Sequence, residues 1–218
     1  MTLHEPHSAG KPSANAKRLS LHALLLAAGR GSRFGGSKLQ AQYRHRPLLA
    51  YPLALMAAAR ERGLIDGGHA VISVGDDASY RLVQDMKLES VLNSAPERGL
   101  SYSVQLGLAA LESDGAAAAL ILLGDQPLVR LEVIETLISA WRAGGEAIIR
   151  PRYEASSNVP GHPVLVARSA WPLIRDLKGD AGFGSLGSRL RETIVDVTGH
   201  NPDVDTLNDL QALQVLHQ

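Results

Sequence analysis

The amino-acid sequence predicts an α/β fold: a single-domain three-layer sandwich with a mostly parallel (mixed) sheet and helices on both faces. Short apolar runs alternate along the chain with longer segments of helical periodicity. Several runs are apolar on both faces, which is typical of central strands in a parallel sheet. The chain has 218 residues, of which 45% are hydrophobic, enough for one sizeable core. In such folds ligands bind at the carboxyl ends of the strands.

The N-terminal segment and the strands are predicted as follows. Residues 1–19 contain Pro, Ser and Gly and few large apolar side chains, so we expect a disordered tail, followed by one domain over residues 20–218. Apolar runs predict strands at residues 21–27, 70–74, 117–123, 146–149, 163–166 and 193–197.

Helices are predicted between and after these strands, where apolar positions recur every three or four residues. Residues 47–59 form one helix, in which Pro52 implies a late start or a kink. A second helix follows Ser101, a candidate N-cap, and a third covers residues 131–141. The apolar stripe over residues 207–216 predicts a last helix that packs on the sheet.

Charge and cysteine content exclude several classes of function. The 22 Lys and Arg residues balance 22 Asp and Glu residues, so we expect no nucleic-acid partner, although a local positive cleft can hold a small polyanion. The absence of cysteine excludes a disulfide framework, a thiolate metal site and a Cys nucleophile. No apolar run reaches the ~18 residues of a membrane span, and no signal-peptide pattern is present. We therefore expect a cytoplasmic protein with no membrane partner.

The first predicted strand runs directly into a glycine-rich, basic loop within residues 26–38. Glycines let the backbone approach a ligand, so that main-chain N–H groups can point at phosphate oxygens. Arg30, Arg33 and Lys38 add positive charge. Two familiar phosphate loops do not fit, because Phe34 stands where the dinucleotide fingerprint needs a glycine and the closing Ser-Lys reverses the P-loop order. The loop therefore predicts phosphate binding of another type.

A second candidate site follows another buried strand, at Gly-Asp-Gln-Pro over residues 124–127. The Asp125 carboxylate at such a strand end is suited to a hard cation such as Mg²⁺. Its alternative role is that of a turn residue or a cap of the next helix.

Several ordered motifs carry a resemblance to a known family. They are Leu-Ala-Ala-Gly-x-x-x-Arg-x-Gly-x-x-Lys at 26–38, Gly-Asp-Gln-Pro at 124–127, Asn93 with Gly-Leu-Ser-x-Ser at 99–103, Gly-His-Pro at 161–163, Leu-x-Gly-Asp-x-Gly at 177–182 and Asp-x-Asp-Thr at 203–206. In these motifs the chain resembles the molybdenum cofactor nucleotidylyltransferases, which include cytidylyltransferases and molybdopterin-guanine-dinucleotide-synthase-like enzymes. They are a branch of the glycosyltransferase-A-like (GT-A-like) NTP transferases, which implies a Rossmann-like nucleotidyltransferase fold.

The resemblance implies that a nucleotidyl group passes from a nucleoside triphosphate to the phosphate of molybdopterin cofactor, with release of pyrophosphate. Arg33, Lys38 and Asp125 would be catalytic, and Asp125 and Asp205 would hold Mg²⁺. Asp203 shares a face with Asp205 in an extended segment, so both can point into the cleft. The implied substrate-binding residues are Leu26, Ala27, Ala28, Gly29, Arg30, Gly31, Ser32, Arg33, Lys38, Asn93, Ser101, His162 and Asp180.

Several of these residues also have structural interpretations that the sequence leaves open. Ser101 can serve only as an N-cap, His162 can be a structural residue bonded to backbone, and Asp180 can be a turn residue. Arg33 and Lys38 can be solvated loop cations.

The nucleotide and the class of function have alternatives as well. The double Ala before Gly29, the Gly-His-Pro element and the Asp-x-Asp-Thr motif look like the cytidylyl branch, so CTP is favoured over guanylyl or other nucleotidyl transfer. Phe34, where the family usually has Met, and Gly31, where it often has Ser, are departures that keep the required residue type. A flavin- or NAD(P)H-dependent reductase offshoot is an alternative, as is a non-catalytic protein that delivers the cofactor to a molybdoenzyme or its chaperone.

Overall fold

The computed structural model describes residues 19–29, 31, 33–155, 159–181 and 190–215. The predicted tail up to residue 18, the predicted binding residues Arg30 and Ser32, and positions 182 and 216 lie outside the described residues.

A seven-stranded mixed sheet forms the centre of the protein and confirms the predicted fold class. Its strands are β1 (Leu21–Ala27), β4 (Gly67–Ser73), β5 (Glu89–Asn93), β6 (Ala118–Leu123), β7 (Ile148–Tyr153), β8 (Val164–Ala167) and β9 (Glu192–Val197), in the order β5-β4-β1-β6-β8-β7-β9. Strand β8 is antiparallel to β6 and β7, and the other pairs are parallel. The two short strands β2 (Gln42–Tyr43) and β3 (Arg46–Pro47) form a separate hairpin.

Helices cover both faces of the sheet and complete the three layers. They are α1 (Ala50–Glu61), α2 (Asp77–Asp85), α3 (Leu100–Ser113), α4 (Leu131–Arg142), α5 (Trp171–Arg175) and α6 (Leu207–Val215). Successive β1 side chains point to opposite faces: Leu25 packs in the core beneath α1, α2 and α4, and Leu24 packs in the core beneath α3 and α5. Pro52 lies in the first turn of α1, where its missing N–H removes no helical hydrogen bond, so the late start is confirmed.

Helix α6 does not pack on the sheet, which corrects the prediction. Its Leu210 and Leu213 pack in a third apolar cluster, the loop cluster, formed by Phe34, Tyr43, Leu48, Val204, Leu210 and Leu213. The sheet face is already covered by other helices, so α6 buries its apolar side chains against the hairpin and the glycine-rich loop instead.

The start of α3 differs from the prediction in a second way. Ser101 is not the N-cap: it lies in the first helical turn, and Gly99 is the cap with a positive φ of 87°. The reason is that a 3₁₀ turn over Pro96–Arg98 leads into Gly99, whose left-handed backbone starts the helix earlier. The backbone N–H of Ser101 donates to the Gly179 carbonyl (3.0 Å).

Candidate functional site

The topology of the sheet places the two predicted strand-end motifs side by side. Strands β1 and β6 are parallel neighbours in which Leu26 lies opposite Leu123. Just beyond them, the N–H of Gly124 donates to the Leu26 carbonyl (3.0 Å). A Cβ at Gly124 would lie only 3.2–3.3 Å from the Leu39 side chain and from Ala27 and Leu26 at the end of β1, so this position favours glycine. The close approach brings Asp125 to the glycine-rich loop.

A cleft of about 470 Å³ opens at this edge of the sheet. Its wall contains many of the predicted site residues: Leu26, Ala27, Ala28, Gly29, Gly31, Arg33, Lys38, Asp125, Asp180 and Asp205. Asp203 lines it too, as expected from its shared face with Asp205. The wall also contains residues that the site prediction did not include, among them Leu39, Pro96, Glu97, Gly99, Leu100, Ser103 and Gly124. Three predicted binding residues, Asn93, Ser101 and His162, are described but do not line it.

Lys38 is the electrostatic centre of the cleft. Its Nζ lies 2.6 Å from Asp125 Oδ2 and 3.1 Å from Asp205 Oδ1, and only 13% of its side chain is exposed. Burial alone would lower the pKa of Lys38, but attraction and hydrogen bonds to Asp125 and then to Asp205 raise the pKa on balance. Arg33 reaches the other oxygen of Asp205 (3.0 Å), although its own side chain is 75% exposed. A largely buried ammonium group and an exposed guanidinium thus share the Asp205 carboxylate.

The closing Asp-x-Asp-Thr motif places two carboxylates in the cleft wall because its central residue is buried. Val204 is fully buried in the loop cluster, so Asp203 and Asp205 on either side face the cleft. The Asp203 residue is exposed as a whole, but its carboxyl group is partly shielded from water, and the pKa of Asp203 is raised on balance. The main cause is this desolvation; the hydrogen bond from Gln126 lowers the pKa, and the negative charges of Asp125 and Asp205 raise it. Three acidic side chains therefore share one edge of the cleft.

The carboxylates have the chemistry of a divalent-cation site without forming a closed one. Within the described residues, no group of three or more His, Asp or Glu side chains has the geometry to hold a metal ion. Asp125 Oδ1 is buried and has no hydrogen-bond partner in the same part of the chain. Carboxylate oxygens are the hard ligands that Mg²⁺ takes, with the remaining positions filled by water or phosphate oxygens. Asp125 and Asp205 therefore fit a metal that is shared with a phosphate ligand.

Asn93 lies behind the cleft wall, whereas Asp180 is part of it. Asn93 is fully buried, and its Nδ2 donates to the hydroxyl of Ser103 (3.0 Å), which lines the cleft. The Asp180 carboxylate accepts from the backbone N–H of Leu100 (3.2 Å) at the start of α3. Asp180 thus closes one side of the cleft. Ser103 belongs to the Asn…Gly-x-x-x-Ser motif, and that motif was the signal that could have identified it.

His162 lies away from the cleft wall, in the turn before β8. The His162–Pro163 peptide bond is cis, and the His162 carbonyl accepts from the Tyr153 hydroxyl (2.8 Å) and from Asn201 Nδ2 (3.1 Å). Although part of the residue is accessible, the imidazole Nε2 is buried. Burial and then the nearby Arg150 lower the pKa of His162 to about 4, so the ring is neutral at physiological pH.

Fold and site together define the class of protein: a GT-A-like nucleotidyltransferase. The chain belongs to the MobA-like NTP transferase domain family, whose model matches residues 23–194. A relative named "Probable molybdenum cofactor guanylyltransferase", from Thermococcus gammatolerans, is 28% identical over 174 residues, which are 77% of this chain and 80% of that protein. The "Bifunctional protein GlmU" of Trichlorobacter lovleyi is 35% identical over 132 residues, but these are 58% of this chain and only 27% of GlmU.

Solved structures show the same fold. Rv0371c from Mycobacterium tuberculosis has a TM-score of 0.75 and 27% identity, over 90% of this chain and 98% of that chain. The same protein has been solved in complex with manganese, with a TM-score of 0.74 and 25% identity over the same shares. Molybdopterin-guanine dinucleotide biosynthesis protein A from Archaeoglobus fulgidus has a TM-score of 0.63 over 89% of this chain and 97% of that chain, with 16% identity, and supports the fold alone.

No helix among the described residues is long and apolar enough to cross a membrane.

Proposed function

We propose that the protein transfers CMP from CTP to the phosphate of molybdopterin cofactor and releases pyrophosphate in a Mg²⁺-dependent reaction in the cytoplasm. The observation that carries this proposal is the position of Lys38 between Asp125 and Asp205, beside a glycine-rich strand end. Nucleotidyl transfer requires positioning and neutralisation of charge more than a covalent nucleophile. The cleft offers backbone donors, cations and metal-binding carboxylates for this purpose.

Each group has a distinct role in the proposed reaction. Backbone N–H groups of residues 27–29 and 31 bind the triphosphate, and Arg33 and Lys38 stabilise the negative charge that develops on the leaving pyrophosphate. Asp125 and Asp205 hold Mg²⁺, which when bound neutralises and orients the phosphates. A phosphate oxygen of the acceptor attacks the α-phosphorus as the bond to pyrophosphate breaks.

The remaining predicted binding residues have more indirect parts in this proposal. Asn93 orients Ser103 through the hydrogen bond between their side chains. Asp180 shapes the cleft wall through its hydrogen bond to the start of α3. Ser101 and His162 support the fold near the cleft rather than touching substrate. Roles for Arg30 and Ser32 stay predictions from the resemblance.

Guanylyl transfer is the second candidate function. It is favoured by the relative named as a probable guanylyltransferase, whereas the Ala27-Ala28-Gly29 sequence favours CTP. Membership of an NTP transferase family supports transfer over the reductase alternative. Delivery of the product to a molybdoenzyme or its chaperone is compatible with either nucleotide.

Two measurements on the purified protein test the proposal. The first is the melting temperature in the presence of Mg²⁺ and CTP, GTP or ATP. The nucleotide that binds the folded protein should raise the melting temperature. Pyrophosphate release with CTP and molybdopterin cofactor then measures transfer, and Asp125→Asn should reduce it by at least about 100-fold. Asp196→Asn, on the exposed surface of β9 and paired only with Arg152 in the described residues, is the matched control and should retain activity. If GTP raised the melting temperature more than CTP and supported faster pyrophosphate release, GTP would be the substrate. Wild-type turnover by Asp125→Asn would contradict the proposed role of Asp125 in the site.

A further inference from the structure

A chain of hydrogen-bonded side chains lies directly behind the cleft carboxylates. Gln126 Nε2 donates to Asp203 Oδ1 (2.7 Å), and Gln126 Oε1 accepts from Asn201 Nδ2 (3.0 Å). The Asn201 amide also donates to the His162 carbonyl (3.1 Å), which accepts the Tyr153 hydroxyl as well (2.8 Å). The amide pair, Gln126 and Asn201, therefore connects the Gly-His-Pro turn to the Asp-x-Asp-Thr segment.

Hydrogen-bond chemistry determines how both amides are oriented. An ionised Asp203 carboxylate only accepts, so Gln126 must present its NH₂ group to it and its oxygen to Asn201. Gln126 is 5% exposed, and Asn201 Oδ1 is buried with no hydrogen-bond partner in the part of the chain that is described. An unpaired buried polar atom costs free energy. Because the buried Asn201 oxygen destabilises the fold, the amide pair is better explained by a role in the site than by a role in stability.

Asp203 needs the donor that the amide pair supplies. It shares the cleft edge with Asp125 and Asp205, whose negative charges repel it. Lys38 donates to those two carboxylates, and no hydrogen bond from Lys38 to Asp203 is present among the described side chains. The N–H of Val204 donates to the Asp125 carbonyl (3.2 Å), so the same short segment connects Asp203 to the rest of the site.

We propose that Gln126 and Asn201 are positioning residues for the metal-binding carboxylates. They hold Asp203 at the cleft edge and thereby direct Asp205, two residues further on, towards Lys38 and the cation. Neither amide lines the cleft, so their effect passes through the 203–205 segment. The inference rests on the proposed function, in which Asp125 and Asp205 bind a divalent cation.

The direct test is Mn²⁺ affinity of the full-length protein, measured from the EPR signal of free Mn²⁺ with and without CTP. Gln126→Glu keeps the shape of the side chain but places a second carboxylate against Asp203 in place of a donor. We expect the Mn²⁺ dissociation constant to rise at least about tenfold, as for other residues that orient metal ligands. Asp196→Asn is the control: Asp196 pairs with Arg152 on the exposed surface of β9, away from the amide pair, so the constant should not change.

A compensating variant separates positioning from direct ligation by Asp203. In Asp203→Asn the new amide oxygen still accepts from Gln126, so Mn²⁺ affinity should be kept. Combined with Gln126→Glu, the new amide donates to the introduced carboxylate, and affinity should return to the wild-type value. Loss of affinity in Asp203→Asn alone, or no recovery in the double variant, would overturn the proposal.

Two further outcomes keep the test decisive. If Gln126→Glu does not fold, Asn201→Leu removes the donor to Gln126 instead and should raise the Mn²⁺ dissociation constant in the same direction; an unchanged constant contradicts the proposal. Wild-type protein that binds Mn²⁺ but turns over neither CTP nor GTP would contradict the proposed function, and the positioning test would still be readable from Mn²⁺ affinity.

Discussion

Lys38 decides the charge balance of the cleft, because one ammonium group lies between two carboxylates that would otherwise repel each other. The oxygens that it contacts belong to Asp125 and Asp205, the two proposed metal ligands. In the proposed reaction, the Lys38 ammonium and the metal ion would compete for the same oxygens. A bound triphosphate would relieve this competition, because its oxygens offer Lys38 another partner.

Lys38→Met should expose this competition. Without the ammonium, we expect the metal-free protein to lose about 2 kcal/mol of unfolding free energy, between the values for exposed and buried ion pairs. Because the pKa of Lys38 is raised, its contribution is fully present at neutral pH and is lost only as the pH rises above about 10.4, through the higher folded-state pKa. Mn²⁺ should then raise the melting temperature of the variant more than that of the wild type.

Thermal melts in EDTA and in Mn²⁺ measure both effects. Arg33→Met is the control, because Arg33 is largely exposed and, among the described residues, forms an ion pair with Asp205 alone; it should change stability by less than about 1 kcal/mol. Equal Mn²⁺ shifts in wild type and Lys38→Met would show that Lys38 and the metal do not share ligands.

The meeting of Lys38 with Asp125 could be predicted from the sequence, whereas the amide pair could not. Both residues follow apolar strands, and the carboxyl ends of neighbouring parallel strands lie at one edge of a sheet. Gln126 and Asn201 are 75 residues apart and belong to no periodic pattern. Only the tertiary structure shows that they touch.

At the scale of elements, the clearest constraint is the start of α3. Gly99 precedes the helix with a φ of 87°, and a Cβ added there would lie 2.5 Å from the backbone carbon of Gly179. Asp180 and Leu100, which are hydrogen-bonded to each other beside this contact, both line the cleft. The approach of the 177–181 segment to α3 therefore sets one wall of the site.

Gly99→Ala should damage stability and nucleotide binding together. Gly115→Ala is a matched control, because Gly115 also has a positive φ (75°) but has no neighbouring atom within 4 Å of an added Cβ. Backbone strain alone should cost about 1–2 kcal/mol in Gly115→Ala. Gly99→Ala should cost more and should weaken the nucleotide-induced rise in melting temperature. Equal losses in the two variants would mean that the contact with Gly179 is unimportant.

Strands that are buried on both faces could be predicted from the sequence, whereas more exposed elements were missed. The central strands β1 and β6 are apolar on both faces, and their predicted bounds agree with the structure to within a residue. Strand β5 was not predicted because Val91 and Leu92 are its only large apolar residues, and its Glu89 and Leu92 are exposed. The β2–β3 hairpin was missed because its turn residues, Arg44 and His45, have positive φ without the usual Gly or Asn signal.

At the scale of the whole molecule, the described residues form three apolar clusters, and the smallest of them lies next to the site. The two large cores lie on either face of the sheet and hold the strands. The loop cluster instead joins Phe34 of the glycine-rich loop to Val204 of the Asp-x-Asp-Thr motif, through Leu210 and Leu213 of α6. Packing of α6 thus helps to position the two segments that contribute Lys38 and Asp205 to the cleft.

Leu213→Ala should therefore separate stability from binding. Leu213 is 2% exposed, and its truncation should cost about 2–5 kcal/mol, as for other buried leucines. Leu137→Ala, in a fully buried position of α4, is a control of the same chemistry in one of the large cores. Both variants should melt at lower temperature than the wild type. At a temperature where both remain folded, only Leu213→Ala should weaken nucleotide and Mn²⁺ binding, because Leu213 packs in the same cluster as Phe34 and Val204 whereas Leu137 does not. Equal binding by the two variants would mean that the cleft is held by the sheet alone.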